Sequence, residues 1–235
     1  MQFGLHPSPA LNALFKARPY QGCRPEDAWV VMLGSDANYS PELSQHAFFE
    51  TVVRYHEDGL GFLRRHKVHH PFLLNEYPFD RRTGGVVFHR NFATLLTFEI
   101  AERLSFIELL DVPTIGVRSS TPDARAAYRR LVSRQHLQWL DHFIHSERGK
   151  LVLVPSGVLR EMMLLRSLYG LFSWAEPLLA RDSLALPGGA MIRRVYHPSS
   201  SQFYSSAKAI KKEISGWVAR CDSVPRDGMP PDASS

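Results

Sequence analysis

Residues 30–40 read Val-Val-Met-Leu-Gly-Ser-Asp-Ala-Asn-Tyr-Ser, an apolar run that leads directly into a polar turn. Residues 30–33 are apolar, Gly34 follows, and Asp36 stands two positions later. A continuous apolar run of this length is typical of a strand that is covered on both faces of a parallel sheet. The stretch therefore predicts a buried strand with a carboxylate just beyond its carboxyl end.

Three more segments have the length and composition of strands, and helical spacing separates them. With residues 28–33, the predicted strands cover 105–110, 150–155 and 191–196. Apolar residues recur at helical spacing over 43–55, 92–104, 122–146, 158–169 and 205–221. Strands that alternate with helices pair in parallel through right-handed crossovers. We predict an α/β fold, a three-layer sandwich around a small, mainly parallel four-stranded sheet.

The length of 235 residues fits one domain, which we place at residues 1–221. Residues 222–235 are rich in Pro, Asp, Ser and Gly, and we expect them to form a disordered tail. Residues 63–91 contain two prolines and a Gly-Gly pair. We expect this segment to be a long functional loop.

Composition limits the classes of function. The net charge of +5 permits a polyanionic partner without requiring one. Two cysteines are too few for a disulfide framework or for a cluster held by four cysteines. The first residues lack the pattern of a signal peptide, and no apolar run is long enough to span a membrane. We expect a cytoplasmic monomer without a membrane partner.

The carboxyl ends of parallel strands form the usual ligand site of an open α/β sheet. The segments at the predicted ends are 34–39, 111–114, 155–157 and 197–201. They bring two aspartates, one histidine and several Ser/Gly turns, whose backbone N–H groups can hold phosphates. Scattered basic residues such as Lys208 would strengthen binding to a polyanion.

Several common sites are absent from the sequence. It contains no P-loop motif, no G-x-G-x-x-G after the first strand and no G-x-S-x-G. His66, His69 and His70 cluster, but they lack a convincing helical i,i+4 pair and nearby cysteines. We interpret them as loop histidines and expect neither a metal nor a cofactor.

Two motifs resemble those of uracil-DNA glycosylases. Residues 34–39, Gly-Ser-Asp-Ala-Asn-Tyr, are similar to the water-activating G-Q-D-P-Y-H motif of that superfamily. Residues 197–201, His-Pro-Ser-Ser-Ser, are similar to its H-P-S-P-L-S motif. Each follows a predicted strand. An apparent second copy at residues 6–9, His-Pro-Ser-Pro, is expected to follow no strand, and we interpret it as coincidence.

The stretches between these motifs keep the order of the family. Residues 59–62, Gly-Leu-Gly-Phe, resemble G-L-A-F, and 68–77 resemble the proline-rich loop that compresses DNA. Residues 109–114, Leu-Leu-Asp-Val-Pro-Thr, stand where the family has L-L-N-T-V-L-T, and 153–157 lie near its W-G-S turn. The resemblance covers roughly residues 28–219.

The resemblance implies a monofunctional glycosylase that flips a base out of DNA and hydrolyses its glycosidic bond. Asp36 would stabilise the cationic sugar and orient water, and His197 would donate a hydrogen bond to base O2. Phe62 would stack on the base, and Phe203 would wedge into the gap in the helix. The remaining DNA contacts implied are Ser35, Pro71, Ser156, Gly157, Ser199, Ser200, Ser201 and Lys208.

Two departures from the family concern the base. Asp111 stands where the family has a base-reading asparagine, and an ionised carboxylate only accepts hydrogen bonds. It would repel uracil O4 and accept from the cytosine N4 amine. Asn38 replaces a tyrosine that closes off C5 of the base, although Tyr39 follows and could close the gap.

The sequence therefore favours a C5-modified cytosine of phage DNA, hydroxymethylcytosine or its glucosylated form, excised in antiviral defence. A repair glycosylase for uracil or another deaminated base is the alternative. A non-enzymatic nucleic-acid-binding module is the second alternative.

Overall fold

The computed structural model describes residues 2–82, 84–116, 121–146 and 149–223. The strands of this part are β1 (Gly4–Leu5), β2 (Gln21–Gly22), β3 (Val30–Gly34), β4 (Ala37–Asn38), β5 (Leu104–Glu108), β6 (Pro113–Ile115), β7 (Leu151–Pro155), β8 (Ser183–Ala185) and β9 (Met191–Val195). The helices are α1 (Pro9–Ala17), α2 (Phe49–Glu57), α3 (Gly59–His66), α4 (Gly84–Ala93), α5 (Phe98–Glu102), α6 (Pro122–Leu131), α7 (Arg134–Ser146), α8 (Ser156–Tyr169), α9 (Ala175–Leu179) and α10 (Ser201–Ser223).

The main sheet has six strands in the order β2-β5-β3-β7-β9-β8. The four predicted strands are its parallel centre, so the mixed α/β class is confirmed. The predicted count of four strands is wrong, because β2 and β8 add short antiparallel edges. Each edge strand has only two or three residues, too few for an apolar pattern to reveal.

Helices cover both faces of the sheet. One face carries Val31, Leu33 and Val152, which pack with apolar side chains of α7, α8 and α9. The other carries Met32 and Phe106, which pack with α4, α5 and α10. Strands with two buried faces need apolar residues at successive positions, which explains the continuous runs.

Three helix predictions need correction. Residues 43–55 form a short 3₁₀ turn at Leu43–Gln45 and, after a break, most of α2, which begins at Phe49. Residues 122–146 form two helices, because α6 ends at extended Val132 and the Ser133 hydroxyl accepts from the His136 N–H at the start of α7. Residues 92–104 do not form one helix. They comprise the end of α4, a turn and α5, and Leu104 already belongs to β5.

A second, three-stranded sheet lies beside the main one in the order β1-β6-β4. Its strands have two or three residues each, and β4 follows Asp36 directly. Strand β1 immediately precedes residues 6–9, so the statement that this His-Pro-Ser-Pro stretch follows no strand is wrong.

The predicted boundary at residue 221 lies within α10, which continues to Ser223; the remainder of the predicted tail is outside the described residues. Residues 63–91 contain the end of α3, a 3₁₀ turn at Pro71–Leu73 and most of α4 rather than one long loop. In the described part of the chain, no helix is both long and apolar enough to cross a membrane.

Candidate active site

A cavity of about 460 Å³ opens at the carboxyl ends of the central strands. This position and size are typical of small-molecule sites in α/β proteins, which measure roughly 300–1,000 Å³. Its walls come from the ends of β3 and β5, from β4, from the start of α8 and from the turn after β9. The predicted site residues that line it are Ser35, Asp36, Asn38, Tyr39, Gly157, His197 and Ser199.

Asp36 lies in the turn between β3 and β4, and the small sheet fixes its carboxylate. Thr114 Oγ1, on β6, donates to Asp36 Oδ2 at 2.6 Å. Asn38 Nδ2 in turn donates to Thr114 Oγ1 at 3.3 Å and to the Gly116 carbonyl at 2.6 Å. The Thr114 hydroxyl thereby holds one Asp36 oxygen in place. The two bonds of the Asn38 amide hold that side chain in the cavity wall.

His197 lines the same cavity from the turn between β9 and α10. The Ser199 N–H donates to His197 Nδ1 at 3.2 Å, so the ring carries its proton on Nε2. Surrounding protein lowers the pKa of His197 below its ordinary value, which favours the neutral ring at pH 7. The turn presents a neutral imidazole whose Nε2–H is free to donate.

The turn that carries His197 is held from α4. Asn91 Nδ2 donates to the Pro198 carbonyl at 2.7 Å, and the Tyr204 hydroxyl donates to Asn91 Oδ1 at 2.8 Å. The Phe88 ring lies 5.3 Å from the His197 ring, centroid to centroid. Because Asn91 is buried, its bond to Pro198 is shielded from competing water and holds the turn in place.

Glu108 is a second acid in the cavity, and the sequence reasoning missed it. It ends β5 and pairs in register with Gly34 at the end of β3. Burial, with a smaller contribution from the nearby Asp36 charge, raises the pKa of Glu108 to about 8. The site therefore holds two carboxyl groups in different environments. Such a difference allows one group to be protonated while the other is ionised.

Aromatic rings form another part of the wall. Phe72, Phe88, His70 and His89 all line the cavity, and the His70 and His89 rings stack with centroids 3.7 Å apart. Burial holds the pKa of both histidines well below the ordinary value, so these rings are neutral. Flat, uncharged walls suit a planar ring as ligand.

These histidines correct one prediction. His69 and His70 are buried, and His70 Nε2 donates to Gln21 Oε1 at 3.0 Å. Both lie in the loop between α3 and the 3₁₀ turn, as predicted, but they are core residues rather than solvent-facing ones. No three His, Cys, Asp or Glu side chains in the described ranges are grouped so that they could hold a metal ion.

Phe62, Phe203 and Pro71 do not line the cavity. The Phe62 ring is only 4% exposed and packs on Tyr55 at 5.1 Å. Phe203 is 1% exposed in the core beneath α10, and Pro71 is buried in its 3₁₀ turn. Neither phenylalanine can reach a base or a DNA gap from these positions.

The remaining predicted residues that do not line the cavity are polar. Asp111 lies in the turn before β6, where its charge acts on His136 rather than on the cavity. The Ser156 hydroxyl donates to the Val195 carbonyl at 3.3 Å, and it thereby ties α8 to β9. Ser200 is partly buried, whereas Ser201 and Lys208 are exposed on α10.

No protein-family model matches the chain, and neither the curated proteins nor the solved structures give a significant match. The resemblance to uracil-DNA glycosylases therefore rests on the sequence motifs alone. The class that the fold and the cavity define is an α/β protein with an acid–imidazole site at the carboxyl edge of its sheet.

Proposed function

We propose that the protein is a monofunctional DNA N-glycosylase, which extrudes a base and hydrolyses its glycosidic bond to leave an abasic site. One observation carries the proposal. Asp36 and His197 come from the ends of β3 and β9, which β7 separates in the sheet, yet both line the same cavity. The three-layer arrangement of the uracil-DNA glycosylase superfamily would use this edge of its sheet in the same way.

Asp36 has the position and charge to stabilise a developing cation. As the C1′–N1 bond breaks, positive charge grows on the deoxyribose, and an oriented carboxylate lowers the energy of that state. The same carboxylate orients water toward C1′ and accepts its proton. The hydrogen bond from Thr114 fixes the orientation of this carboxylate.

His197 complements Asp36 at the leaving group. Electron density moves onto the base as the bond breaks, and the Nε2–H of a neutral imidazole can donate to base O2. The pKa shift and the Ser199 contact favour this tautomer. Among the described residues that line the cavity there is no lysine, which agrees with hydrolysis without a covalent amine intermediate.

The planar walls supply the stacking surface. Phe88, which lines the cavity and is partly exposed, replaces buried Phe62 as the candidate to stack on the extruded base. Phosphate contacts are assigned to backbone N–H groups near Ser35 and Gly157 and to the Ser199 side chain, with Ser201 and Lys208 on α10 as further contacts. Such contacts position the DNA strand without reading its sequence.

The base is proposed to be a C5-modified cytosine of phage DNA, hydroxymethylcytosine or its glucosylated form, and the role to be antiviral defence. Support comes from a carboxyl group in the base cavity, now Glu108 instead of Asp111, and from the small Asn38 in the wall. Excision of ordinary cytosine would damage the host's own genome, whereas a modified base marks foreign DNA.

Uracil repair is the second candidate, and a protonated Glu108 also fits this base. A protonated carboxyl group is both donor and acceptor, so it can pair with uracil N3–H and O4 as an amide does. A purely DNA-binding role has no comparable support, because it does not need a fixed carboxylate and a neutral imidazole in one cavity.

The test is a panel of oligonucleotides that differ at one base: uracil, cytosine, hydroxymethylcytosine and glucosylated hydroxymethylcytosine. Alkali after incubation should cleave at least one modified-cytosine strand, and EDTA should not change the rate. Asp36→Asn and His197→Ala should each slow excision about a hundredfold or more while DNA binding is kept. No cleavage of any strand, or near-normal rates in both variants, would refute the proposal.

A further inference from the structure

The carboxyl group of Glu108 occupies space that the absence of a side chain at Gly34 leaves open. It extends over Gly34 on the neighbouring strand, and a Cβ atom at residue 34 would overlap the Glu108 carboxyl oxygens. Both residues line the cavity. Glycine at this position therefore lets the carboxyl group reach the space where the base is proposed to bind.

No cation among the described residues neutralises this group. Within the described part of the chain, the Glu108 carboxyl makes no ion pair and no side-chain hydrogen bond; the influences on its charge are burial and Asp36. The titratable groups that face it are Asp36 from the β3–β4 turn, Tyr39 after β4 and Tyr55 from α2. His136 of α7 contacts the Glu108 backbone carbonyl, not the carboxyl group.

These surroundings give the two acids different protonation states. Burial raises the pKa of Glu108 to about 8, so it is mainly protonated at neutral pH. Asp36 accepts a hydrogen bond from Thr114, which stabilises its charged form. Glu108 thus holds a proton in the part of the cavity assigned to the base. The negative charge stays on Asp36, which the proposal places beside the sugar.

We propose that Glu108 contacts the Watson–Crick edge of the extruded base and protonates N3 of a cytosine-type base as its glycosidic bond breaks. The inference rests on the proposed glycosylase function and deepens it by naming the substrate class. A carboxylic acid matches that edge with two hydrogen bonds. Its carbonyl oxygen accepts from the N4 amine, and its O–H donates to N3.

The step is balanced in protons and electrons. The C1′–N1 bond breaks, and its electron pair passes to the base ring. The Glu108 O–H bond breaks, and the proton goes to N3, so the base departs as a neutral molecule. Water forms the new bond to C1′, and its proton goes to the Asp36 carboxylate. The free base, a hydrolysed sugar, ionised Glu108 and protonated Asp36 are the products.

A cytosine-type base needs this proton more than uracil does. Uracil already carries a hydrogen on N3, and its departing negative charge is shared by O2 and O4, where His197 can donate. Neutral cytosine has no proton on N3 and becomes a poorer leaving anion. General-acid assistance of this kind contributes about a hundredfold to ten-thousandfold.

The experiment compares wild type with Glu108→Gln by single-turnover excision between pH 6 and 9.5. The substrates are one oligonucleotide with hydroxymethylcytosine and one with uracil. Glutamine keeps a donor, an acceptor and the shape, but it has no proton to transfer. On hydroxymethylcytosine the wild-type rate should fall as pH rises through the pKa of Glu108. The variant should lose about a hundredfold or more, with no such pH limb.

On uracil, Glu108→Gln should lose less than about tenfold, because the amide still pairs with O4 and N3–H. Asp36→Asn is the control that should slow both substrates. Wild-type excision of hydroxymethylcytosine that Glu108→Gln leaves unchanged in rate and pH profile would overturn this inference alone. A wild type that excises no base would overturn the proposed function and this inference together.

Thermal unfolding measures the protonation of Glu108 without catalysis. The unfolded carboxyl group ionises near its ordinary pKa of 4.5 and the folded one near 8. Between these values the folded state holds more protons, so wild-type stability should fall as pH rises. Glu108→Gln cannot lose stability in this way. Its melting temperature minus that of wild type should therefore increase from pH 5 to pH 9. If the difference between the two melting temperatures were the same at every pH, the assignment of a proton to Glu108 would be wrong.

Discussion

Gly34 is the residue on which the geometry of the cavity depends most directly. Its main-chain conformation is one that other residues adopt readily, so the reason for glycine is the space above its Cα atom. That space holds the end of the Glu108 side chain, which is flexible. Adding a methyl group should therefore move the carboxyl group rather than unfold the strand.

Gly34→Ala should reduce excision of a cytosine-type base by about a hundredfold, because a displacement of about 1 Å at a reacting group costs on that scale. Its melting temperature should stay close to that of wild type. Single-turnover kinetics and thermal unfolding check the two halves of this prediction. Gly4→Ala is the matched control, since a Cβ there meets no atom within 4 Å. Equal rates for Gly34→Ala and Gly4→Ala would contradict the assigned position of Glu108.

The His-Pro-Ser turn at His197 occurs a second time at His6. The Ser8 N–H donates to His6 Nδ1 at 3.1 Å, the same contact that Ser199 makes with His197. The environments differ, because His6 is buried and its Nε2 donates to the Ser40 carbonyl at 2.9 Å. The local turn therefore fixes the tautomer in both places, but only at His197 does Nε2 remain available to a ligand.

At the scale of elements, β5 shows why the acid of the cavity was misassigned. The apolar letters continue through Leu109 and Leu110, so the sequence places the strand end at residue 110 and the site residue at Asp111. The strand ends at Glu108, and the two leucines are buried in different core clusters beyond it. Composition does not separate buried strand residues from buried turn residues, whereas pairing with Gly34 does.

The prediction of one long helix at residues 122–146 was wrong for a related reason. Its apolar periodicity continues across Val132 and Ser133, yet the chain leaves helical geometry there. Ser133 is a good N-cap, and this was the available signal for a second helix. The short strands of the second sheet carried no comparable signal, because two or three residues cannot establish a period.

The second sheet has a functional consequence through Thr114. Its side chain is buried, and it connects the Asn38 amide to the Asp36 carboxylate. Thr114→Val keeps the shape and removes the hydroxyl, so Asp36 loses the donor that orients it. A hydrogen bond to a charged group contributes about 1.5–3 kcal/mol, which corresponds to a rate loss of about tenfold to a hundredfold.

Thr114→Ser keeps the hydroxyl and is the matched control, with a rate expected within a few-fold of wild type. Single-turnover excision and the DNA dissociation constant should be measured together. The loss in Thr114→Val should lie in the rate of the chemical step, with DNA affinity kept. If Thr114→Ser were as slow as Thr114→Val, the hydroxyl would not be the feature that matters.

In the whole molecule, the strand order brings distant parts of the sequence to one edge. The four predicted strands and the carboxyl edge of their sheet were predictable, because apolar runs and parallel connections constrain topology strongly. Asp36 and His197 followed from that edge. The aromatic wall could not be predicted in this way. His70 and Phe72 reach the cavity from the 3₁₀ turn and its cap, and His89 reaches it from α4. Sequence patterns do not fix the direction of these side chains.

Hydrolysis of a glycosidic bond is the central claim, and intact-mass spectrometry of the DNA strand tests it most directly. Wild type should convert a strand that contains hydroxymethylcytosine into one whose mass is lower by the base and higher by a hydroxyl group, with the sugar–phosphate backbone unbroken. The free base should appear in equal amount, and Asp36→Asn should give neither product. A strand cut in its backbone, or one that keeps its full mass with every base tested, would contradict the account.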